Sequence, residues 1–151
     1  MQATEMLLDR VYAVLRKRGE DIEVISSTDA PSKRTGIAYI PYDVVTPVSF
    51  LYTATEKPLT LVIDVLFATH VPEHNRVEVS VILNELNSDQ TAGAFQLDAT
   101  SGYVYYRQSF VVEGLELNDT QFAQLMRNIE SVAVDTATVY ADVMENSFPK
   151  E

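Results

Sequence analysis

The alternation of apolar and polar residues divides the chain into three predicted helices separated by predicted strands. Apolar residues recur at helical spacing over residues 4–18 and over residues 119–145. Residues 72–87 fit either a strand or a helix, and the proline–acid start and the length of the segment favour a helix. Alternating or continuous apolar runs predict strands over residues 21–27, 37–42, 48–55, 59–68, 93–98 and 102–113.

The order of these elements is helix, several strands, helix, hairpin, helix, which predicts an α+β domain. The last helix is roughly 40 Å long and has one wide apolar stripe, so it must cover a sheet. We therefore predict a single domain over residues 1–151, in which helices pack on one face of a single, mostly antiparallel sheet. Low apolar content predicts a loop over residues 28–36, and residues 146–151 are expected to form a frayed tail.

Charge and composition exclude several classes of function. The net charge is −11, with 22 acidic and 11 basic residues, so we expect neither nucleic acid nor an anionic membrane as a partner. The absence of cysteine excludes disulfides and thiolate chemistry. No glycine-rich phosphate-binding motif is present, and we expect no cofactor. The start of the chain lacks the pattern of a signal peptide, which favours a cytoplasmic location.

One motif suggests metal chemistry. Residues 70–74, HVPEH, match the H-x-x-E-H pattern of inverted zinc proteases, in which both histidines and the glutamate share one helix. Pro72 tends to start a helix and would leave His70 outside it, so we predict no metal site. A small metal-assisted hydrolase using His70, Glu73 and His74 remains an alternative.

The tyrosines form the candidate binding surface. Tyr52, Tyr103 and Tyr105 are predicted to lie on the strand face opposite the helices, half exposed. Tyrosine is enriched at protein interfaces, and a second copy of the chain is the commonest partner. The alternative is that these side chains are amphipathic tyrosines at the rim of a sheet. Asp64, alone in an apolar run, is expected to be the polar residue on the less buried face, with a functional carboxylate as the alternative.

Residues 77–113 are expected to turn the chain from the second helix into the hairpin. Asn84 and Asn87 are predicted to end the helix, because asparagine tolerates the left-handed conformation. Asp98 to Gly102 is predicted to form a turn, with a positive φ at the glycine. Arg107 is predicted to pair with an acid across the hairpin.

These residues resemble the YbjN-like family of bacterial proteins. The matching positions are Leu83, Asn84, Leu86, Asn87, Gly93, Phe95, Leu97, Asp98, Gly102, Val104, Tyr106, Arg107 and Gly114, followed by the Phe122 and Leu125 helix start. The resemblance covers residues 60–145 and extends over the first 58 residues only in outline. It implies a type III secretion chaperone-like fold and a role in sensory-transduction regulation, and it transfers no active site.

Together, these observations predict a non-enzymatic, cytoplasmic protein-binding module, chaperone-like or regulatory, that acts as a homodimer. A sensor that holds a small apolar ligand between helix and sheet is a further alternative, beside the hydrolase. Its expected sign is a deep apolar pocket lined by tyrosine and phenylalanine.

Overall fold

A computed structural model describes residues 2–27, 34–40 and 48–147. The helices are α1 (Ala3–Lys17), α2 (Arg76–Ser88), which follows a 3-10 turn at Glu73–Asn75, and α3 (Asp119–Ser147). The strands are β1 (Ile22–Ser27), β2 (Arg34–Tyr39), β3 (Val48–Thr55), β4 (Thr60–His70), β5 (Gly93–Leu97) and β6 (Tyr103–Val111).

Most predicted elements are present, including a helix, Arg76–Ser88, in the ambiguous segment 72–87, and several boundaries differ. Residues 41–42, the end of the strand predicted over 37–42, lie outside the described part of the chain. The loop predicted over residues 28–36 ends earlier, because β2 already begins at Arg34, and residues 28–33 lie outside the described part of the chain. The tail predicted over residues 146–151 begins later, because α3 continues to Ser147, and residues 148–151 also lie outside the description.

The six strands form one antiparallel sheet in the order β1-β2-β3-β4-β6-β5. β1 to β4 are neighbours in chain order, while β6 returns beside β4 and leaves β5 at the edge. The predicted α+β class, with a mostly antiparallel sheet, is therefore confirmed. α2 provides the crossover that carries the chain from β4 to the outer edge.

The helices cover one face of the sheet and bury the core there. The fully buried side chains of that face include Phe50 and Tyr52 of β3, Leu61, Ile63 and Val65 of β4, and Tyr106 of β6. α1 and α3 contribute the facing stripe, made up of Leu7, Leu8, Val11 and Leu15 with Phe122, Met126, Ile129, Ala133 and Ala137. Each large apolar side chain buried in this way contributes about 1.5–3 kcal/mol, so burial on this face drives folding.

A polar cluster joins α1, α3 and the sheet beneath the helices. The Glu130 carboxylate accepts a hydrogen bond from the Tyr52 hydroxyl at 2.6 Å and another from the Arg18 guanidinium at 2.6 Å. The side chains of Arg18 and Glu130 are only 19% and 14% exposed. Burial, and then the negative charge of Glu130, raises the pKa of the Tyr52 hydroxyl, so tyrosine stays protonated and serves as a donor.

Asn87 connects the end of α2 to β5. Its side-chain amide donates to the Phe95 carbonyl at 3.0 Å, and its side-chain oxygen accepts from the Phe95 amide at 2.6 Å. Both outward-facing backbone groups of Phe95 on an edge strand are thus satisfied without another strand. Asn84 differs from the prediction that it ends the helix, because it lies exposed within α2, which continues to Ser88.

The hairpin turn and the start of β5 depend on two glycines and an aspartate. Gly102 has a φ of +79°, and a Cβ there would lie 2.5 Å from the Val71 carbonyl oxygen. One Asp98 carboxylate oxygen accepts hydrogen bonds from the amides of Ser101 and Thr100, and these bonds lower the pKa of the carboxyl. At Gly93, a Cβ would lie 2.5 Å from the Tyr106 hydroxyl, so only glycine allows the two hairpin strands to pair there.

We predict that Asn87→Ala destabilises the fold more than Asn84→Ala does. Asn87→Ala removes two hydrogen bonds and should lower the free energy of unfolding by about 2 kcal/mol. Asn84→Ala, in the same helix, should change it by less than about 0.5 kcal/mol, because alanine is the better helix former. Urea unfolding of both variants measures the difference, and equal effects would contradict this role of Asn87.

We also predict that Glu130→Ala destabilises the fold. The substitution leaves the buried Arg18 cation and the Tyr52 hydroxyl without their shared acceptor, which should cost about 2–4 kcal/mol. Asp135→Ala, an exposed acid on the same helix, provides the matched control and should change stability by less than about 0.5 kcal/mol. Thermal and urea unfolding check both values, and a loss no larger than that of the control would refute the role given to Glu130.

Candidate functional site: the uncovered face of the sheet

The face of the sheet opposite the helices is covered by no element in the described part of the chain. Strand alternation and register place an apolar and aromatic set on this face, made up of Ile25, Ala38, Leu51, Val62, Leu66, Ala94, Tyr103, Tyr105 and Val111. Tyr103 is 49% exposed and Val111 is 56% exposed, while Leu51, Val62 and Leu66 are partly buried by their neighbours. Exposed apolar surface of this kind makes this face the candidate site.

A paired carboxylate and guanidinium lie at the centre of this face. The register aligns Leu51, Asp64, Arg107 and Ala94 in one row across four strands. Arg107 Nε donates to Asp64 Oδ1 at 2.7 Å, and its Nη2 donates to Oδ2 at 3.0 Å, a bidentate geometry. These hydrogen bonds, which Arg107 donates to Asp64, raise the pKa of the Arg107 guanidinium.

The two side chains of this ion pair differ in their exposure to solvent. The Asp64 side chain is only 8% exposed, while that of Arg107 is 46% exposed. Asp64 therefore lies on the less covered face, as expected, but is shielded by its partner. The acid that pairs with Arg107 lies on β4 and not on β5, which is the other strand of the hairpin. The predicted pair across the hairpin was therefore wrong about the partner.

Two tyrosines extend the surface from this ion pair. The Tyr105 ring lies 5.3 Å from the Arg107 guanidinium carbon, and its hydroxyl donates to Gln96 at 2.7 Å. Tyr103 packs edge-on against the His70 ring, with the centroids 5.7 Å apart. A concavity of about 520 Å³ lies among these side chains and the Asp64–Arg107 pair. The arrangement offers aromatic faces and exposed guanidinium donors, which suit the binding of a protein surface.

Tyr52 does not belong to this surface, which corrects its predicted place. It is 0% exposed and lies on the helix-covered face, with its hydroxyl on Glu130. The pairing of Tyr52 with Ile63 places its side chain on the buried side, and the next position, Leu51, faces out beside Asp64. Sequence alternation separated these two sets of β3 residues but did not identify which set the helices cover.

Leu66 and Val62 belong to the candidate surface and were missed as binding residues. They alternate with the buried side chains of β4 and share the face of Asp64. The signal was present in the sequence, because a strand face that carries a carboxylate is the face less covered by apolar neighbours.

The H-x-x-E-H motif does not form a metal site in this fold. His70 ends β4 and its ring lies 3.4 Å from the Arg76 guanidinium, while Glu73 and His74 occupy the 3-10 turn. The motif therefore lacks the continuous helix that the zinc-protease mechanism requires. Within the described residues, no three histidine, aspartate or glutamate side chains are placed to hold a metal ion.

Aromatic rings pack between α3 and the sheet, which bears on the alternative of a ligand pocket between helix and sheet. Phe67 and Phe95 lie 4.3 Å and 5.4 Å from the Tyr140 ring, measured between centroids, and Phe95 lies 5.3 Å from Tyr106. These four side chains fill the space between α3 and the sheet at this position. Among the helices that the structure describes, none has the length and apolar content needed to cross a membrane.

Comparison with known proteins identifies the family of the chain. No curated protein matches the chain. A family model named YbjN, with the description "Putative bacterial sensory transduction regulator", matches residues 7–139. The match begins in α1, spans the whole sheet and ends within α3, so it covers both the core and the uncovered face. The chain therefore belongs to the YbjN family.

Proposed function

We propose that this protein is a non-enzymatic regulatory module that works by binding protein, and that its uncovered sheet face joins two copies into a homodimer. The observation that carries the proposal is the apolar and aromatic face around the Asp64–Arg107 pair. Regulation is the role that the family description names. The proposal includes the predicted cytoplasmic location and a chaperone-like manner of holding segments of other proteins.

The composition of the face supports binding to protein. Tyrosine and arginine are enriched in protein interfaces, and residues at their centre contribute most of the binding energy. Tyr103, Tyr105 and Arg107 lie together on β6, surrounded by the apolar side chains of β4 and β3. A partner that covers this face would remove Leu66 and the tyrosine rings from water and leave Arg107 with its carboxylate partner.

Charge supports a second copy of the chain as that partner. The described charged side chains on the strands of this face are Glu23, Asp64 and Arg107, and Asp98 lines the concavity beside them, so three negative charges and one positive charge give a net of −2. The whole chain carries −11. Two copies would therefore repel each other far less through this face than through the acidic remainder of the surface. A two-fold axis through the face is also the commonest symmetry of soluble oligomers.

We predict that a charge placed in this face dissociates the dimer. Static light scattering of the wild-type protein should give twice the 16.9 kDa mass of one chain. Leu66→Lys should give the monomer mass, because an unpaired cation would be buried in the interface. Val77→Lys on α2 provides the matched control, since Val77 is an exposed apolar residue away from the sheet face, and it should stay dimeric.

Two outcomes of that experiment would contradict the proposal. One is a wild-type protein that remains monomeric up to high concentration. The other is a dimer that Leu66→Lys leaves intact, since the interface would then lie elsewhere. Circular dichroism of each variant checks that the fold is retained, so that a changed mass reports on association.

A further inference from the structure

A groove between α1 and α3 is a concave feature that the sheet-face proposal does not use. It has a volume of about 700 Å³ and is lined by side chains from both helices. Sites for small molecules commonly have volumes of about 300–1,000 Å³. The groove lies on the helical side of the molecule, whereas the proposed dimer face is the opposite surface of the sheet.

Contacts at both ends hold the groove open. Arg10 donates to the Leu117 carbonyl at 2.8 Å and lies over the Phe122 ring at 4.3 Å, and so ties α1 to the start of α3. Two turns further along, Arg18 at the end of α1 bonds Glu130 of α3. The two helices are thus fixed relative to each other before any ligand binds, which lowers the entropic cost of binding.

Small and apolar side chains form the bottom of the groove. Ala13 and Ala123 are short, so they leave space between the helices. Val14, which is partly exposed, provides apolar surface beside them, while the Phe122 ring lies buried beneath Arg10. The lower part of the groove is therefore suited to an aliphatic or aromatic group rather than to a bare ion.

Two cations at the groove have no partner among the described residues. Lys17 on α1 and Arg127 on α3 are both exposed and make no hydrogen bond or ion pair within the described part of the chain. Arg10 and Arg18 differ, since each is held by groups on or just before α3. Four of the eleven basic residues thus line one groove of a chain whose net charge is −11.

Among the described residues, the acids of the groove lining make no ion pair with Lys17 or Arg127. Asp119 lies 3.6 Å from Arg10, and Asp9 is the other carboxylate of the lining. Two unpaired cations on facing helices, above an apolar floor, form the complement of a molecule with a negative group and an apolar body.

We propose that the groove between α1 and α3 binds a small amphipathic anion, a free molecule whose carboxylate or phosphate contacts Lys17 and Arg127 and whose apolar body packs on Ala13, Val14 and Ala123. This site is independent of the proposed dimer, because it uses none of the sheet-face residues. Binding of this ligand would allow a small molecule to act on the protein at the surface opposite the proposed dimer interface.

Octyl phosphate is a suitable probe, compared with octanol and with inorganic phosphate. Calorimetry and amide chemical shifts should show saturable binding of one octyl phosphate per chain, with the shifted amides in α1 and α3. Octanol and inorganic phosphate should each bind at least about tenfold more weakly, since octanol lacks the negative group and inorganic phosphate lacks the apolar chain. Raising the ionic strength from about 0.05 to about 0.5 M should weaken octyl phosphate binding. Equal affinity for octanol would overturn the proposal, as would shifts outside the groove.

Neighbouring residues of α1 provide a matched pair of variants. Lys17→Glu replaces a groove cation and should weaken octyl phosphate binding at least about fivefold. Arg16→Glu makes the same change of charge at a residue outside the lining, and should weaken binding less than about twofold. Ala13→Trp keeps every charge but fills the floor, and should abolish binding. Equal loss in the two charge variants would show a general effect of net charge and refute the site.

Two further measurements distinguish the groove from a lipid-binding surface and from the dimer interface. Vesicles of phosphatidylglycerol should not retain the protein, because its net charge is repelled by an anionic surface. Retention that Lys17→Glu removes would assign the groove to a membrane lipid and overturn the choice of a free ligand. Light scattering of Lys17→Glu should show the wild-type mass, so loss of the ligand site and loss of the dimer can be told apart.

Discussion

The antiparallel pairing of β4 with β6 holds the two halves of the molecule together. β1 to β4 follow one another in the sheet, and only β4 contacts the hairpin formed by β5 and β6. This pairing joins residues more than forty positions apart, such as Asp64 and Arg107, whose side chains add a bidentate ion pair to the backbone ladder. Long-range pairing of this kind orders the rest of the sheet because every other strand contact is between chain neighbours.

The same pairing decides the roles of the two faces. It places Val65 opposite Tyr106 on the side that the helices bury, and Leu66 opposite Tyr105 on the side that they leave open. The outer strand of the hairpin, β5, lies at the edge of the sheet, so its outward-facing backbone groups need other partners. Asn87 bonds both of these groups at Phe95. Asn87, Gly93, Asp98 and Gly102, which match the family in this segment, are therefore architectural, while the candidate binding surface is formed by side chains of β3, β4 and β6, with Arg107 among them.

The helical side of the molecule has its own internal organisation. Glu130 is a shared acceptor for a sheet residue and for α1, so it fixes α3 relative to both. Arg10 makes the corresponding connection near the start of α3. Between these two connections the helices are lined by small residues, which leaves a groove where a tighter pair would have interdigitating side chains. A sheet face on one side and a groove on the other give the molecule two separate surfaces with different chemistry.

The sequence by itself determined the elements of this protein. Periodicity identified α1, α3 and nearly every strand, and Gly102 with Asp98 identified the hairpin turn, because these signals depend only on neighbouring residues. It also separated the two faces of β4, with Asp64, Leu66 and Val62 on one of them. The start of β2 at Arg34 was missed, since that segment has almost no apolar content to signal a strand.

Only the tertiary structure decided which faces are buried and which charges meet. Tyr52 and Leu51 alternate on β3, and period-two patterning cannot show that Tyr52 is the one beneath α3, because that depends on register and on where a helix distant in sequence packs. The partner of Arg107 on β4, the acceptor that Arg18 shares with Tyr52, and the groove between α1 and α3 arise in the same way. Each depends on side chains that are far apart along the chain and adjacent only after folding.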